Sequence, residues 1–183
     1  MLSENPKSKD DDDLIEIMID PRDGKIYRTK KIRDKVWMID NLNYETVEFS
    51  ICYDNNPINC NKYCRLYSFE AALQACPPGW TLPSQMDILS SWVNSEGDIE
   101  GYLLKKDFAP VAFGGICNQQ VDDIICNSLN IKGAWWTLPQ PPNEAEGEIY
   151  GTFSYIKDKR KPYHLSTLFG SKIMWSCRCV RED

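Results

Sequence analysis

Eight cysteines are the residues of this 183-residue chain that are most able to do chemistry. They are Cys52, Cys60, Cys64, Cys76, Cys117, Cys126, Cys177 and Cys179. Cysteine thiolates bind zinc and attack electrophiles, whereas oxidised cysteines pair as disulfides. The spacings do not give the paired Cys-x-x-Cys ligands of zinc sites. An even cysteine count in a small chain with 11 prolines favours a disulfide framework, so we expect an oxidising compartment.

The first two cysteines enclose a segment rich in turn-forming residues. Cys52 and Cys60 bracket Tyr-Asp-Asn-Asn-Pro-Ile-Asn, which predicts a loop that a local disulfide closes. The Asp54, Asn55 and Asn56 side chains in this loop could instead ligate a cation. Asx turns use the same residue types, so we favour a turn and predict no metal site.

A second local disulfide is expected in a long irregular region. After the second predicted helix no regular pattern returns before Lys132, and a loop of that length is usually functional or tied down. Cys117 and Cys126 lie within the region and could tie it. We therefore expect a Cys117–Cys126 bridge.

Residues for acid–base or nucleophilic catalysis are sparse. His164, the one histidine, opens a predicted strand with no serine or cysteine nucleophile obviously beside it. Asp122 and Asp123 are neighbours in the long loop, and adjacent carboxylates rarely face each other at the separation that a glycosidase needs. We therefore predict a non-catalytic protein without a cofactor.

Composition and charge argue against two classes of partner. The formal net charge is −6 and no run of Lys and Arg exceeds three residues, which argues against nucleic acid. No apolar run approaches the roughly 18 residues of a membrane-spanning helix. Residues 1–19 are predicted to be an acidic tail or tether, with Asp10–Asp13 solvated, where Leu14–Ile19 could form an edge strand. Residues 20–183 are predicted to form one domain.

The stretch Leu66–Pro83 organises the predicted domain. Four of its residues recur at helical spacing, which predicts a short amphipathic helix with one buried face. Two prolines directly after Cys76 end that helix and force an elbow at the cysteine. The four residues on the buried face are Leu66, Phe69, Leu73 and Cys76.

A second helix and several strands flank this elbow. Ser84 stands three residues before Asp87, which is typical of a helix start and predicts a helix at about Met86–Asn94. Trp37 is the most core-seeking residue of an N-terminal hairpin, and Asn41-Leu42-Asn43-Tyr44 is typical of a loop held by side-chain amides. Strands are predicted at Leu14–Ile19, Lys25–Ile32, Val36–Ile39, Ala134–Leu138, Ile149–Ile156, His164–Phe169 and Lys172–Arg181.

Short blocks in a fixed order carry a family resemblance. They are Asp20-Pro-Arg-Asp-Gly-Lys-Ile-Tyr27, Trp37-Met38, Asn41-Leu42-Asn43-Tyr44, Cys52-Tyr-Asp-Asn, Tyr63, Arg65-Leu66-Tyr67, Ala71-Ala72, Ala75-Cys-Pro-Pro-Gly-Trp80, Leu82-Pro83-Ser84, Trp135-Trp136 and Arg178-Cys179-Val180-Arg181. In this order they closely resemble the Fibrobacter succinogenes major paralogous (FISUMP) domain. The resemblance runs from about Asp20 to the C-terminus.

The resemblance implies a C-type-lectin-like fold, to which this family is thought to be related. The predicted fold class is α+β, with two helices packed on antiparallel sheets and a disulfide-rich framework. In that fold a long-range disulfide joins the first helix to the last strand, which by position pairs Cys76 with Cys179. Closing so long a loop stabilises by about 4–5 kcal/mol in the chain-entropy model.

Two departures from the family pattern both create a cysteine. The family usually has glycine at the position of Cys64 and a small or β-branched residue at that of Cys177. Because the two cysteines occur together, we predict a fourth disulfide, Cys64–Cys177. Arg33 also replaces a common turn glycine, which predicts a longer or differently shaped hairpin turn.

The resemblance also implies an exported, often lipid-anchored module at the cell surface or outside the cell, with its signal sequence and any anchor absent from this chain. We expect a monomer that recognises a glycan or a surface protein. Aromatic side chains could stack on sugar rings or anchor a protein, and Ala109–Lys132 is a further segment to consider. The candidate binding residues are Trp136, Tyr155, Tyr150 and Tyr163, the last two expected to be the best exposed.

Alternative functions remain open. A structural subunit of a surface filament or matrix would offer its edge strands to a partner strand. Formylglycine-generating oxidases share the broad fold and a similar terminal Arg-Cys-Val-Arg, but their chemistry needs free thiols, and every cysteine here has a predicted partner. Calcium-dependent sugar binding is disfavoured, because Gln140-Pro141-Pro142-Asn143-Glu144 departs from the lectin motif and the chain has no Trp-Asn-Asp.

Overall fold

The computed structural model describes residues 14–47, 49–92, 113–120, 123–138, 150–156, 163–168 and 172–183, with the backbone alone at 89, 91–92, 150–156 and 163–168. The helices are α1 (Pro57–Tyr63), α2 (Phe69–Ala75) and α3 (Gln85–Trp92). The strands are β1 (Ile15–Ile19), β2 (Ile26–Ile32), β3 (Lys35–Met38), β4 (Ser50–Cys52), β5 (Arg65–Tyr67), β6 (Ile116–Gln119), β7 (Ile124–Asn127), β8 (Lys132–Thr137), β9 (Tyr150–Ile156), β10 (Tyr163–Leu168), β11 (Ile173–Met174) and β12 (Val180–Glu182).

Several predicted features lie outside the described residues. These are Asp10–Asp13, residues 109–112, Asp122 and the segment Gln140-Pro141-Pro142-Asn143-Glu144. In the part of the chain that is described, no helix is long and apolar enough to cross a membrane.

The N-terminal strands and the last strand share one sheet. Its order is β1-β2-β3-β12 and every pair is antiparallel. Trp37 is 0% exposed, so its predicted place in the core is confirmed. The hairpin turn is Arg33-Asp34, since Ile32 pairs with Lys35, and it is not lengthened. Arg33 instead adopts a φ of 59°, which glycine would adopt more readily.

Among the described residues, three smaller antiparallel sheets accompany this one, and the fold there is mixed α+β. Their orders are β10-β9-β8, β11-β6-β7 and β4-β5. The predicted strand Lys172–Arg181 is wrong as one element, because it divides into β11 and β12. Between them Trp175 pairs with Tyr67 and Ser176 with Trp135, so the segment changes partners as it crosses the core.

The first predicted helix is only partly right. Leu66 belongs to β5 rather than to a helix, and α2 begins at Phe69. The reason is Ser68, whose side chain accepts a hydrogen bond of 3.2 Å from the Ala71 N–H and so sets the helix start there. Leu73 is 48% exposed and does not share the buried face.

The other two helices begin at recognisable caps. In α1, which was not predicted, Pro57 takes the first position and the Asn56 side chain accepts from the Ile58 N–H at 3.0 Å. The capping box predicted for α3 is confirmed. The Asp87 N–H donates to Ser84 Oγ at 3.0 Å, and the Ser84 N–H donates to Asp87 Oδ2 at 2.7 Å.

The main core forms where α2 packs on the central strands. Trp136 lies at its centre, with its ring centroid 4.8 Å from that of Trp175 and 5.2 Å from that of Phe69. Its indole N–H donates to the Tyr67 carbonyl at 2.7 Å, which satisfies its polar atom inside the core. The core thus connects α2 and β5 to β8 and the segment after β11.

Three of the predicted disulfides are confirmed. The long-range bridge joins the elbow after α2 to the segment before β12 across 103 residues, with Cα atoms 5.8 Å apart. Another crosses β6 and β7 at directly opposed positions. The three bridges are Cys52–Cys60, Cys76–Cys179 and Cys117–Cys126.

The predicted Cys64–Cys177 disulfide is wrong, because both thiols are free. The pairing of Tyr67 with Trp175 would, if continued, bring Arg65 opposite Cys177. Instead the backbone of Leu42 enters the gap. It accepts from the Arg65 N–H at 3.3 Å and donates to the Cys177 carbonyl at 2.9 Å. The two segments therefore separate before they reach Cys64.

A buried ion pair holds the elbow, and we call this arrangement the elbow clasp (Asp20, Arg22, Ala75 and Cys76). Arg22 Nε and Nη2 donate to the two carboxylate oxygens of the fully buried Asp20 at 2.9 and 2.7 Å. The same guanidinium donates to the Ala75 and Cys76 carbonyls at 2.8 and 3.2 Å, and so caps the end of α2. It also lies 3.7 Å from the ring centroid of Tyr44.

Candidate functional site

A cavity of about 500 Å³ opens between β2, the loop that follows β3, and the last turn of α1. We call it the basic cavity, because four of its charged lining residues are cationic and one is acidic. They are Lys25, Arg28, Lys62, Arg178 and Asp40. Its size falls in the range of small-molecule sites, roughly 300–1,000 Å³.

Side-chain amides fix the loop that forms one wall of the basic cavity. Asn41 and Asn43 donate through Nδ2 to the carbonyls of Tyr63 and Cys60 at 3.4 and 3.3 Å. These carbonyls lie in the last turn of α1, where the Cys60 carbonyl also accepts from the Cys64 N–H at 3.0 Å. The Asn43 N–H also donates to Tyr27 Oη at 3.0 Å. The predicted amide-held loop is thus confirmed, and it locks α1 against β2.

Arg178 forms the buried floor of the basic cavity. It is 1% exposed, and its Nε donates to Asn41 Oδ1 at 3.0 Å. The same oxygen accepts the indole N–H of Trp135 at 2.9 Å, and the guanidinium carbon lies 5.2 Å from that ring centroid. Burial lowers the pKa of Arg178 to about 10, against the opposing charge of Asp40. The side chain therefore stays cationic at neutral pH.

Asp40 is held by Arg28. Arg28 donates from Nη2 to Asp40 Oδ1 at 2.6 Å, and its backbone N–H donates to Oδ2 at 2.8 Å. Burial alone would raise the pKa of Asp40, but the hydrogen bonds and charge of Arg28, with a smaller contribution from Arg178, hold it below its ordinary value. Asp40 is therefore a carboxylate that neutralises part of the cationic wall.

Two lysines lie at the rim of the basic cavity. Lys25 makes an ion pair of 2.6 Å with Asp23, outside the lining. Lys62 is exposed on the last turn of α1, and its Nζ lies 5.0 Å from the ring centroid of Tyr63. Lys62 is therefore the cation most accessible to a molecule that enters.

Cys64 places a thiol in the same wall. Burial raises the pKa of this thiol to about 11, so it is protonated at neutral pH. Burial also raises the pKa of Cys177 well above its ordinary value. Since the thiolate is the reactive form, neither cysteine has the environment of a nucleophile.

The structure removes Trp136 from the predicted binding residues. The ring is 1% exposed within the main core and cannot stack on a ligand there. The sequence could not separate this residue from a surface aromatic, because the adjacent Trp135 and Trp136 both fit a strand that is buried on two faces.

The three predicted binding tyrosines lie in β9 and β10. Tyr155 and Tyr163 occupy directly opposed positions of this antiparallel pair, whereas Tyr150 pairs with Leu168 at the other end of the ladder. Backbone register thus brings two of the three together. The strands belong to a different sheet from β2, which borders the basic cavity.

The residues of the basic cavity were missed as a site in the sequence. Arg28 and Asp40 are 12 residues apart, and Arg178 and Asn41 are 137 apart, so sheet pairing rather than a local motif brings them together. Among the described residues, no group of three or more His, Cys, Asp or Glu side chains is placed to hold a metal ion. The feature of the sequence that could have indicated this site was the Asn41-Leu42-Asn43-Tyr44 block, whose two asparagines line the basic cavity.

Comparisons of the chain with models of known protein families, with curated proteins and with solved structures found no match.

Proposed function

We propose that this chain is an exported, non-catalytic recognition module of the FISUMP type, with a C-type-lectin-like fold, and that the basic cavity is its ligand site. Its ligand is a glycan or a surface protein on or near the cell. The observation that carries the proposal is the cavity itself, in which fixed polar and cationic groups converge on one space.

The rigidity of the wall supports a binding role. The amides of Asn41 and Asn43 hold the end of α1, and the Cys52–Cys60 bridge ties the same helix to β4. Because these groups are already ordered, a ligand loses little free energy in ordering the site. Three disulfides also suit a protein that works outside the cell.

The chemistry of the wall argues against catalysis. Cys64 is protonated at neutral pH, and Asp40 is a carboxylate held by Arg28 with a pKa below its ordinary value. A general acid or base works best with a pKa near the operating pH. Neither group meets that condition.

A structural subunit is the second candidate, and β1 favours it. Among the described strands, β1 pairs with β2 on one side and with none on the other. Ile15, Ile17 and Ile19 are 42%, 68% and 61% exposed along this edge. A strand from a partner could pair with the main chain of this edge, so that its own side chains lie beside the isoleucines on the same face.

A pair of variants on α1 tests the binding proposal. Asn61 is exposed and lines the basic cavity, so Asn61→Trp should fill its mouth. Ile58→Trp on the same helix, at a side chain that is 73% exposed and outside the lining, is the matched control. We expect a glycan array and a surface-protein screen, each with and without chelator, to find a ligand that binds the wild type and Ile58→Trp but not Asn61→Trp.

Three outcomes would contradict the proposal. A ligand that binds Asn61→Trp normally but fails with Tyr150→Ala/Tyr163→Ala places the site on β9 and β10. If neither screen finds a ligand, and the chain polymerises in a way that Ile17→Lys abolishes, the result favours a structural subunit that assembles through β1. Turnover of a screened compound would overturn the non-catalytic role.

A further inference from the structure

We infer that the ligand of the basic cavity is a saccharide that carries a carboxylate, such as a uronic or sialic acid, and this inference rests on the function proposed above. The charge of the wall is the first argument. Four cationic side chains and one carboxylate line the described cavity, although the chain as a whole has a net charge of −6. A local cationic surface on an acidic protein selects an anionic group.

The single carboxylate of the wall acts on two guanidinium groups. Asp40 makes its ion pair with Arg28, and its charge partly opposes the lowering of the Arg178 pKa that burial causes. Burying a cation is costly unless an anion compensates it. A carboxylate supplied by a ligand would add a second negative charge beside these cations, and arginine forks bind carboxylates with two parallel hydrogen bonds.

Lys62 extends this cationic surface to the mouth of the basic cavity. It is exposed on the last turn of α1 and makes no ion pair in the described residues. Its ammonium, which lies over the Tyr63 ring, can therefore meet an entering anion without breaking an ion pair of the described residues. Lys62 and the buried Arg178 place positive charge at the mouth and on the floor of the same space.

The remaining lining favours a saccharide over an acidic peptide. The exposed Asn61 amide offers a donor and an acceptor, which suit sugar hydroxyl groups. Bound peptides are usually anchored by apolar side chains in pockets or by main-chain pairing along a strand edge. The basic cavity has Ile26 and Ile39 as its aliphatic lining, and Ile39 is itself buried in the core.

Titration calorimetry with matched probes tests the inference. The disulfide-intact full chain is titrated with galacturonate-, glucuronate- and sialate-terminated oligosaccharides, each beside its carboxyl-reduced neutral counterpart. We expect at least one acidic probe to bind, and its neutral counterpart to bind roughly tenfold to a hundredfold more weakly, as charge-assisted hydrogen bonds require. Affinity should also fall as salt rises.

Charge reversal at one lysine supplies the matched variants. Lys62→Glu should weaken the acidic probe by roughly tenfold or more, because attraction at the mouth becomes repulsion. Lys172→Glu changes the net charge equally at an exposed lysine outside the lining, and should leave the affinity unchanged. Circular dichroism of both variants confirms that the fold is retained.

Each contrary result has a separate meaning. Equal binding of an acidic probe and its neutral counterpart overturns the inference of an acidic ligand, and so does full affinity of Lys62→Glu for the acidic probe. In either case Asn61→Trp still tests whether the ligand binds in the basic cavity. Binding of polyglutamate but of no saccharide, in a Lys62-dependent manner, replaces the sugar with an acidic peptide. No binding by any acidic probe overturns the inference, and a ligand from the screens that ignores Asn61→Trp overturns the proposed site as well.

Discussion

Two aspartate–arginine pairs in this chain have opposite surroundings. In the elbow clasp Asp20 is fully buried. Arg22 donates hydrogen bonds to that carboxylate and to the carbonyls at the end of α2. In the basic cavity Asp40 and Arg28 are 28% and 43% exposed at their side chains, and the pair borders open space beside a second arginine. The clasp is closed on itself, whereas the cavity wall is open to a further anion.

The difference shows what turns an ion pair into a candidate site. Residue types are the same in both regions, so the pair alone predicts nothing about function. What differs is whether the pair also holds the end of a helix or lines a cavity. Arg22 donates to a carbonyl at the end of α2 and therefore stabilises the fold. Arg28 pairs with Asp40, whose charge also acts on Arg178, and all three residues line the basic cavity. Structural and binding roles can be separated by measuring both stability and binding.

Removing a disulfide from each region should have the largest effect. Cys76→Ala/Cys179→Ala opens a loop of 103 residues beside the clasp and should lower the free energy of unfolding by about 5 kcal/mol. Cys52→Ala/Cys60→Ala opens a loop of 8 residues beside the cavity and should cost about 2.5 kcal/mol. Guanidinium unfolding under non-reducing conditions measures both, and equal losses would contradict the ranking.

Replacing one arginine in each pair should separate the two roles. Arg22→Met leaves the buried Asp20 without its cation and should cost about 3–5 kcal/mol. Arg28→Met breaks a partly exposed pair and should cost about 1 kcal/mol or less, while it weakens binding of an acidic probe. The same unfolding and titration experiments apply. A larger stability loss for Arg28→Met would show that the cavity pair is structural.

Acid should weaken the clasp more than the cavity wall. Burial alone would raise the pKa of Asp20, but the hydrogen bonds and charge of Arg22 hold it below 3.8. A depressed folded-state pKa means that the stabilisation is complete above about pH 5, beyond the unfolded-state pKa, and is lost as the pH falls through the folded-state pKa. Because the Asp20 carboxylate is fully buried and the Asp40 side chain is 28% exposed, Asp20→Asn should remove more of the loss of stability between about pH 5 and pH 2.5 than Asp40→Asn, measured by unfolding at each pH. Equal slopes in the two variants would contradict the expectation.

The smallest expected effect is a gain in stability at the cavity wall. Cys64 has φ 66° and ψ −164°, a backbone conformation that is essentially confined to glycine. Cys64→Gly should relieve this strain and raise the free energy of unfolding by about 1 kcal/mol, after the added freedom of the unfolded glycine is subtracted. Cys64→Ala keeps the Cβ atom and should bring no such gain. Thermal denaturation of the two variants compares them.

Local patterns in the sequence predicted the parts of the fold that depend on neighbouring residues. The Ser84 and Asp87 cap, the hairpin around Trp37 and the Cys52–Cys60 bridge each involve residues close in sequence. Helix α1 was missed although Asn56-Pro57 is a helix-start signal, because the Tyr-Asp-Asn-Asn-Pro-Ile-Asn segment that contains its first residues is rich in turn-forming residues. Leu66 fitted a helical period, yet the cap at Ser68 decided the boundary.

The candidate site depended on contacts that no local pattern contains. Arg178 reaches Asn41 across 137 residues through the pairing of β3 with β12. The prediction of a Cys64–Cys177 bridge was wrong because it too depended on a contact distant in sequence. The backbone of Leu42 lies between the two segments that carry these cysteines. Trp136 is aromatic whether buried or exposed, and only its position against Trp175 decides its role.

The Cys76–Cys179 bond also has a mechanical consequence for a protein anchored at one end and pulled at the other. Tension would cross from sulfur to sulfur, so residues 77–178 would carry none of the load. Since the Cys52–Cys60 bond likewise bypasses residues 53–59, unravelling could then lengthen only about 74 residues, to about 260 Å at about 3.5 Å per residue, against about 640 Å for the reduced chain. The strands from β6 to β11 would bear no tension while the segments outside the Cys76–Cys179 loop were extended.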